Sequence, residues 1–200
     1  MLLAIDTSAG TSVAVVDAGT VLALAEEEGT RRHAEAIGIL LRQALTDAGA
    51  IPSEITGVVA GMGPGPFTGL RVGIAAARAF ALGVDVPVHP VVSHDALAYG
   101  HAERVLVVTD ARRREVAWSL YDPDVTRLEG PELCERDGFG AIAERHPGVT
   151  VLDPPTVSAA SLGLVAELLL AAGRPLGPAE PLYLRPPDVT LPPPLKTVTT

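Results

Sequence analysis

The sequence predicts a mixed α/β fold in which one unit of strands, helix, strand and helix is used twice. Two apolar runs, Leu2 to Asp6 and Val105 to Asp110, each end in an aspartate and lead through a turn into a returning strand. Behind each run, helical and strand spacing then alternate in the same order. With 48% apolar and 20% charged residues over 200 positions, the chain has enough to bury to form a core without disulfides or metals.

The elements follow in order. Leu2 to Ile5, Ser12 to Val16 and Val21 to Ala25 are separated by Ala9-Gly10-Thr11 and Asp17-Ala18-Gly19, which reads as an antiparallel meander. From His33 to Ala48 apolar residues recur at helical spacing, and Gly49 supplies the stop. Thr56 to Ala60 is a strand and Gly61 to Phe67 a Gly/Pro loop; Thr68 caps a helix running to Gly83, and a strand follows around Val86 to Val92. The second unit opens with Val105 to Asp110, turns through Ala111 to Glu115 and returns along Val116 to Tyr121. A helix near Phe139 to His146, a strand at Val149 to Leu152 and a helix from Ser161 to Ala172 complete it. Two tandem copies of such a unit are the topology of the actin-like, Hsp70 and sugar-kinase group: a duplicated RNase H-like fold, with mixed sheets flanked by helices. The expected lobes are 1–103 and a smaller 104–200. Ten of the eighteen prolines lie after residue 150, so an extended tail is expected from about 175. Its tip, Leu191-Pro192-Pro193-Pro194-Leu195, reads either as a polyproline ligand or as a surface-draped terminus.

Fifteen basic against 24 acidic residues leave a formal charge of −9, which disfavours a stand-alone nucleic-acid reader unless the positives gather on one face. A single cysteine, Cys134, forms no intrachain disulfide, and the N-terminus lacks a basic leader, so a cytoplasmic location is expected. No apolar stretch reaches eighteen residues without a charge, Gly or Pro, so no membrane span is expected.

Several segments carry candidate chemistry. Asp6, Thr7 and Ser8 place an acid and two hydroxyls in a tight β-turn, which either surrounds a phosphate or hydrated metal or forms a plain Asx-type turn. Gly61 to Gly73 makes a sharp strand-to-helix passage but fits neither the dinucleotide fingerprint nor a Walker loop. With Gly63 and Gly65 it is either a vestigial phosphate cradle, depleted of donors by Pro64 and Pro66, or a rigid turn. The Ala75 to Ala81 helix is small on nearly every face and admits a close neighbour, inside the domain or in a partner. Arg112, Arg113 and Arg114 form a dense basic cluster at a hairpin tip, which either holds phosphate or partner carboxylates or is simply solvated. The five histidines include no H-x-x-x-H or H-E-x-x-H pair, Cys134 has no C-x-x-C partner, and no G-x-S-x-G elbow occurs, so neither a metal site nor catalysis by these groups is expected.

Taken together, four segments resemble the TsaB family in that family's order and spacing. They are Leu3-Ala4-Ile5-Asp6-Thr7-Ser8, the Gly61 to Gly73 stretch, Asp110-Ala111-Arg112-Arg113-x-Glu115-Val116 and Pro181-Leu182-Tyr183-Leu184-Arg185. The resemblance covers the chain almost end to end. It implies an actin-like fold and a non-catalytic dimerisation subunit of bacterial tRNA threonylcarbamoyladenosine synthesis. Such a subunit activates the catalytic paralogue TsaD, is joined by the ATPase TsaE, and forms a homodimer without its partner. Threonylcarbamoyl then passes to the adenosine beside the anticodon of tRNAs reading ANN codons. The paralogue's metal-binding H-x-x-x-H would fall after Pro90, where this chain has His94 and Ala98. The resemblance also implies a partner interface on the first two helices, with His33, Ile37, Leu40, Leu41, Ala44, Leu70, Arg71, Ile74, Ala77, Arg78 and Ala81 as its candidates. No cofactor is expected, with nucleotide confined to a complex interface; tRNA is met through the complex. The chain departs from the family pattern at Pro66, usually Ser, at Arg114, usually Gly, and at Ala117, usually Tyr. The alternative is an actin-like nucleotide-binding small-molecule kinase or ATPase using Asp6, Thr7 and Ser8.

Overall fold

The computed structural model describes residues 1–27 and 33–185. The tip Leu191 to Leu195 lies outside the described residues. A five-stranded sheet carries β1 (Leu2–Asp6), β2 (Thr11–Asp17), β3 (Thr20–Glu27), β4 (Gly57–Gly61) and β5 (Val88–Val91) in the order β3-β2-β1-β4-β5. A four-stranded sheet carries β6 (Val105–Asp110), β7 (Glu115–Asp122), β8 (Thr126–Glu135) and β9 (Thr150–Leu152) in the order β8-β7-β6-β9. In each sheet the first strand is central: antiparallel to the second and parallel to the strand after the helix, as β1 is to β2 and β4, and β6 to β7 and β9. Asp6 opposite Ser12 and Asp110 opposite Val116 close equivalent corners. The duplication read from the sequence is therefore a duplication of topology.

Among the described residues five α-helices cover the sheets: α1 (His33–Asp47), α2 (Phe67–Val84), α3 (Ser93–Ala98), α4 (Phe139–Glu144) and α5 (Ala159–Ala171). Side chains alternate across a strand, so β1 divides between two cores. Leu3 and Ile5 pack with Val13, Val15 and Val58 beneath α1 and α2, where Leu40, Ala44, Leu70, Ile74 and Ala77 are buried. Leu2 and Ala4 pack with Ala14, Val16 and Val59 beneath α5, and this second core continues into Val105, Val107 and Tyr121 of the other sheet. The two sheets thus share one core. Gly163 lets α5 settle onto the first sheet, because a Cβ there would stand 2.8 Å from a methyl of Val16. The outer face of the second sheet packs Leu106, Trp118 and Leu120 against Ile142 of α4.

Two helix starts differ from the sequence reading, and two elements are additional to it. α2 starts at Phe67, with Pro66 as N-cap and Thr68 inside the first turn, because the Pro66 carbonyl accepts the Leu70 N–H. α5 starts at Ala159, whose N–H is taken by the Ser12 hydroxyl of β2 at 2.8 Å, a cap supplied from across the fold. α3 and β8 have no counterpart in the sequence reading. Among the described residues α2 alone has the length and apolarity of a membrane-crossing helix, and its Leu70, Ile74, Ala77 and Ala81 are committed to the core.

Candidate functional site

The Asp6 corner is closed by the chain's own loop. Asp6 is 1% exposed, and its Oδ1 accepts the Ser8 N–H at 2.7 Å and the Ser8 hydroxyl at 2.5 Å, while Oδ2 accepts the Ser93 hydroxyl at 2.6 Å. Burial pushes the Asp6 carboxyl above the ordinary carboxylate range, against the pull of these bonds. Thr7 donates to the Gly69 carbonyl at 2.7 Å and accepts the Gly73 N–H at 3.0 Å, so both hydroxyl functions hold the first turns of α2. The glycines make this contact possible. A Cβ on Gly61 would collide with the Asp6 carboxylate and one on Gly73 with Thr7; one on Gly65 would stand 2.8 Å from Ser8 Cα. Asp6, Thr7 and Ser8 thus form a turn packed closely on Gly61, Gly65, Gly69 and Gly73, and Ser8 also borders open space between the two sheets.

Beyond the corner, α3 joins the two lobes through three consecutive residues. Ser93 reaches the first sheet through Asp6 and accepts the Gly63 N–H at 3.0 Å. His94, with 0% exposure, is hydrogen-bonded at 2.8 Å through Nδ1 to Ser119 of β7 and through Nε2 to Thr109 of β6. Burial, helped by the Arg127 charge, lowers its pKa to about 3, so the imidazole is neutral. Asp95 accepts the Tyr121 hydroxyl at 2.6 Å and Arg127 Nη2 at 2.7 Å; burial raises its pKa and the Arg127 charge opposes the rise. The histidine at the position of the paralogue's metal motif is thus a structural clasp. Among the described residues, no three His, Cys, Asp or Glu side chains gather as metal ligands.

Burial divides the list of interface candidates. His33, Leu40, Ala44, Leu70, Ile74, Ala77 and Ala81 point inward, each at most 6% exposed, because α1 and α2 use these positions to cover the sheet. His33 Nδ1 is bonded to the Thr11 hydroxyl at 2.8 Å. Ile37 and Leu41 are half-buried, and Arg71 and Arg78 are exposed. The accessible apolar positions on these helices are instead Ile39, 60% exposed, Phe67, and Leu82 at 85%.

Arg71 and Arg78 already hold another part of the chain. The segment 177–185 lies along α2 as a strap: Arg78 donates to the Ala179 carbonyl at 3.0 Å and Arg71 Nε to the Tyr183 hydroxyl at 3.2 Å. The Arg71 guanidinium sits 3.8 Å over the Phe67 ring, which stacks on Tyr183 with centroids 4.8 Å apart. The Leu182 N–H bonds the Met62 carbonyl, and Arg185 pairs with Glu115 of β7, carrying the strap across to the other lobe. Arg112, Arg113 and Arg114 are exposed at the β6–β7 turn; Arg112 also lines a cleft of about 350 Å³ with Ser8, Pro66, Thr109, Asp110 and Pro154.

Known proteins share this arrangement. A family model described as TsaD, tRNA N6-adenosine threonylcarbamoyltransferase, matches residues 24–135. An uncharacterised protein of Mycobacterium tuberculosis is 37% identical over 202 residues, which cover 94% of this chain and 92% of that protein. The tRNA threonylcarbamoyladenosine biosynthesis protein TsaB of Escherichia coli is 39% identical over 129 residues, 62% of this chain and 55% of that protein. The solved structure of YeaZ from Pseudomonas aeruginosa superposes with a TM-score of 0.74 at 28% identity, covering 92% of this chain and 99% of that one. The chain belongs to the family that the model describes and, within it, to the TsaB proteins.

Proposed function

We propose that this chain is the non-catalytic partner subunit of tRNA threonylcarbamoyladenosine biosynthesis, binding the catalytic subunit TsaD and favouring its competent state. The observation that carries this reading is the internal bonding of the Asp6 corner. An ATPase or small-molecule kinase uses its acid and hydroxyls on phosphate, whereas here Asp6 bonds Ser8 and Ser93, and Thr7 bonds Gly69 and Gly73. The relatives named TsaB and the TsaD family model support the pathway and the partner.

The proposed contact is the outer face of α1 and α2 around Ile39 and Leu82, where two large apolar side chains stand in water on helices that cover the same face of the sheet. Burying them against TsaD helices would shift its population toward the active state, and without TsaD a second copy would take the same face. TsaE completes the assembly, which acts in the cytoplasm on the adenosine beside the anticodon of tRNAs reading ANN codons. The chain alone holds no cofactor; nucleotide binds only at the complex interface.

Light scattering of the chain alone and mixed with TsaD, followed by threonylcarbamoyl transfer to a tRNA transcript, tests this. A heterodimer that transfers only when both proteins are present is expected. Ile39→Asp and Leu82→Asp, both at solvent-facing positions, should abolish the heterodimer with the circular dichroism spectrum unchanged. Transfer by TsaD that ignores the chain would refute the reading, and a heterodimer that survives both substitutions would refute the interface.

A further inference from the structure

The helix α5 is apolar on nearly every side. Between Pro154 and Gly173 the sequence carries one charged residue, Glu167. A helix of that composition is ordinarily buried all round, yet α5 is covered on one flank only. Leu162, Val165, Ala166 and Leu169 enter the core shared by the two sheets. Ser161 and Leu164 are half-buried, Ala171 is exposed, and Leu168 and Leu170 are 39% and 43% exposed. Ser161, Leu164, Leu168 and Ala171 follow helical spacing, so they form one stripe along a helix of 13 residues, about 20 Å in length.

A groove in two parts borders the stripe, with Tyr99 as a wall of both. The first part, about 470 Å³, opens beside Ser158 and Ser161 against Ala96 and Leu97; the second, about 570 Å³, opens beside Leu164, Leu168 and Leu170 against Met1 and Leu2. The charges at its borders are tied down or stand at one end. Glu167 Oε2 accepts the Gly19 N–H at 2.7 Å, the Met1 ammonium pairs with Asp17 at 3.0 Å, and Asp153 and His101 border only the first part.

Whatever covers this stripe has to be apolar, nearly uncharged and equipped with leucine-sized knobs. Residues 154–173 of the chain itself meet that description, and they present knobs and groove side by side, the condition for an isologous two-fold contact. With a formal charge of −9 the chain repels its own copies, so an uncharged face is where two of them can approach. The helices α1 and α2 cover the opposite face of the first sheet, and this contact leaves them free.

We propose that two copies of this chain pair through α5, the helices antiparallel about a two-fold axis near Leu164. Leu168 and Leu170 of each copy then enter the first part of the other's groove, against Ala96, Leu97 and Tyr99, and the helix dipoles oppose one another. Each Glu167 comes level with the Ser161 hydroxyl of the other copy, which keeps the two carboxylates about 9 Å apart along the axis. The contact is independent of the function proposed above.

Sedimentation velocity of the full chain at about 5–500 μM tests the pairing, with Ile39→Asp and Leu82→Asp in place so that the α1–α2 face takes no part. One helix face with its groove lies at the lower end of stable dimer interfaces, so a dissociation constant of about 10–100 μM is expected. Raising KCl from about 50 to 500 mM should tighten the dimer, because screening relieves the repulsion between like-charged copies and leaves the apolar contact intact. Leu168→Glu and Leu170→Glu should each weaken it at least about tenfold, whereas Leu128→Glu, at a leucine of β8 that is 42% exposed, should not. Circular dichroism establishes that each variant is folded; were Leu168→Glu to unfold, Leu170→Glu and the salt response decide. A chain that stays monomeric at every concentration, a dimer that weakens as salt rises, or one indifferent to both substitutions would overturn the proposal. So would loss of TsaD binding by Leu168→Glu in the otherwise unaltered chain with self-association intact, which would make α5 a contact for that protein.

Discussion

Acid should loosen the junction between the lobes through His94. The imidazole is fully buried, bonded on both nitrogens, and its pKa is lowered to about 3, while an unfolded histidine titrates near 6.5. Between these values the unfolded chain holds a proton that the folded chain refuses, so stability is complete above about pH 6.5 and falls as the pH drops toward 3. From pH 7.5 to 5 the difference is about 1.5 units times 1.4 kcal/mol, or about 2 kcal/mol. That is a large share of the stability of an ordinary domain. Asp6 and Asp95 run the other way. Their pKa values are raised, so the folded state takes up protons more readily and each adds stability as the pH falls through its folded value. The His94→Gln variant separates the two effects, since it cannot acquire the charge and keeps groups able to bond Ser119 or Thr109. Urea unfolding of both proteins at pH 7.5 and 5 should show the wild type losing about 2 kcal/mol more than the variant. Equal losses would show that His94 does not titrate on unfolding and would refute the argument.

Further substitutions probe the corner and the strap. Gly65→Ala puts a methyl 2.8 Å from Ser8 backbone and should cost about 1–3 kcal/mol in urea unfolding. Ser93→Ala removes the partner of both Asp6 Oδ2 and the Gly63 N–H; unfolding should show a loss of about 1–3 kcal/mol and a stronger gain in stability at acid pH. Tyr183→Ala deletes the stack on Phe67 and the bond from Arg71, so thermolysin should cut on the N-terminal side of Leu184 faster than in the wild type, with the melting temperature nearly unchanged.

The parts legible in the sequence are those whose signal is local. The runs ending in Asp6 and Asp110, the helical spacing of α1 and the glycine stops Gly49 and Gly173 each carry their own periodicity or turn chemistry and reappear in place, whereas α2 runs through Gly83 to Val84 and ends at the left-handed Asp85. β8 escaped because it is half-exposed on both faces and is broken by Gly130 and Pro131, so neither alternation nor an apolar run marks it. α3 escaped because Ser93-His94-Asp95 reads as a polar loop; its helical form depends on partners in both sheets, near in space and far in sequence. The interface candidates divide between buried and exposed positions for a related reason. Helical spacing identifies an apolar face but not which neighbour covers it, and here the sheet takes Leu70, Ile74 and Ala77. The strap that Arg71 and Arg78 bond lies more than a hundred residues away and cannot be read from their spacing. Gly69 and Gly73, four apart, were the visible trace of the contact that Thr7 makes with α2.

The position of α5 bears on how the chain is made. Its residues 159–171 are among the last described to leave the ribosome, yet they cover Ala4, Ala14, Val16 and Val59, which are among the first. For most of synthesis the first sheet can gain α1 and α2 on one face only, leaving its other face wet and apolar. A nascent chain in that state is a substrate for chaperones and prone to aggregate, and the long sequence separation makes closure slow. Fusing a carrier to the C-terminus would hold α5 near the exit tunnel no longer than synthesis requires, whereas truncation before residue 159 would leave that face permanently open. Soluble yield should therefore depend on the last forty residues far more than their number suggests.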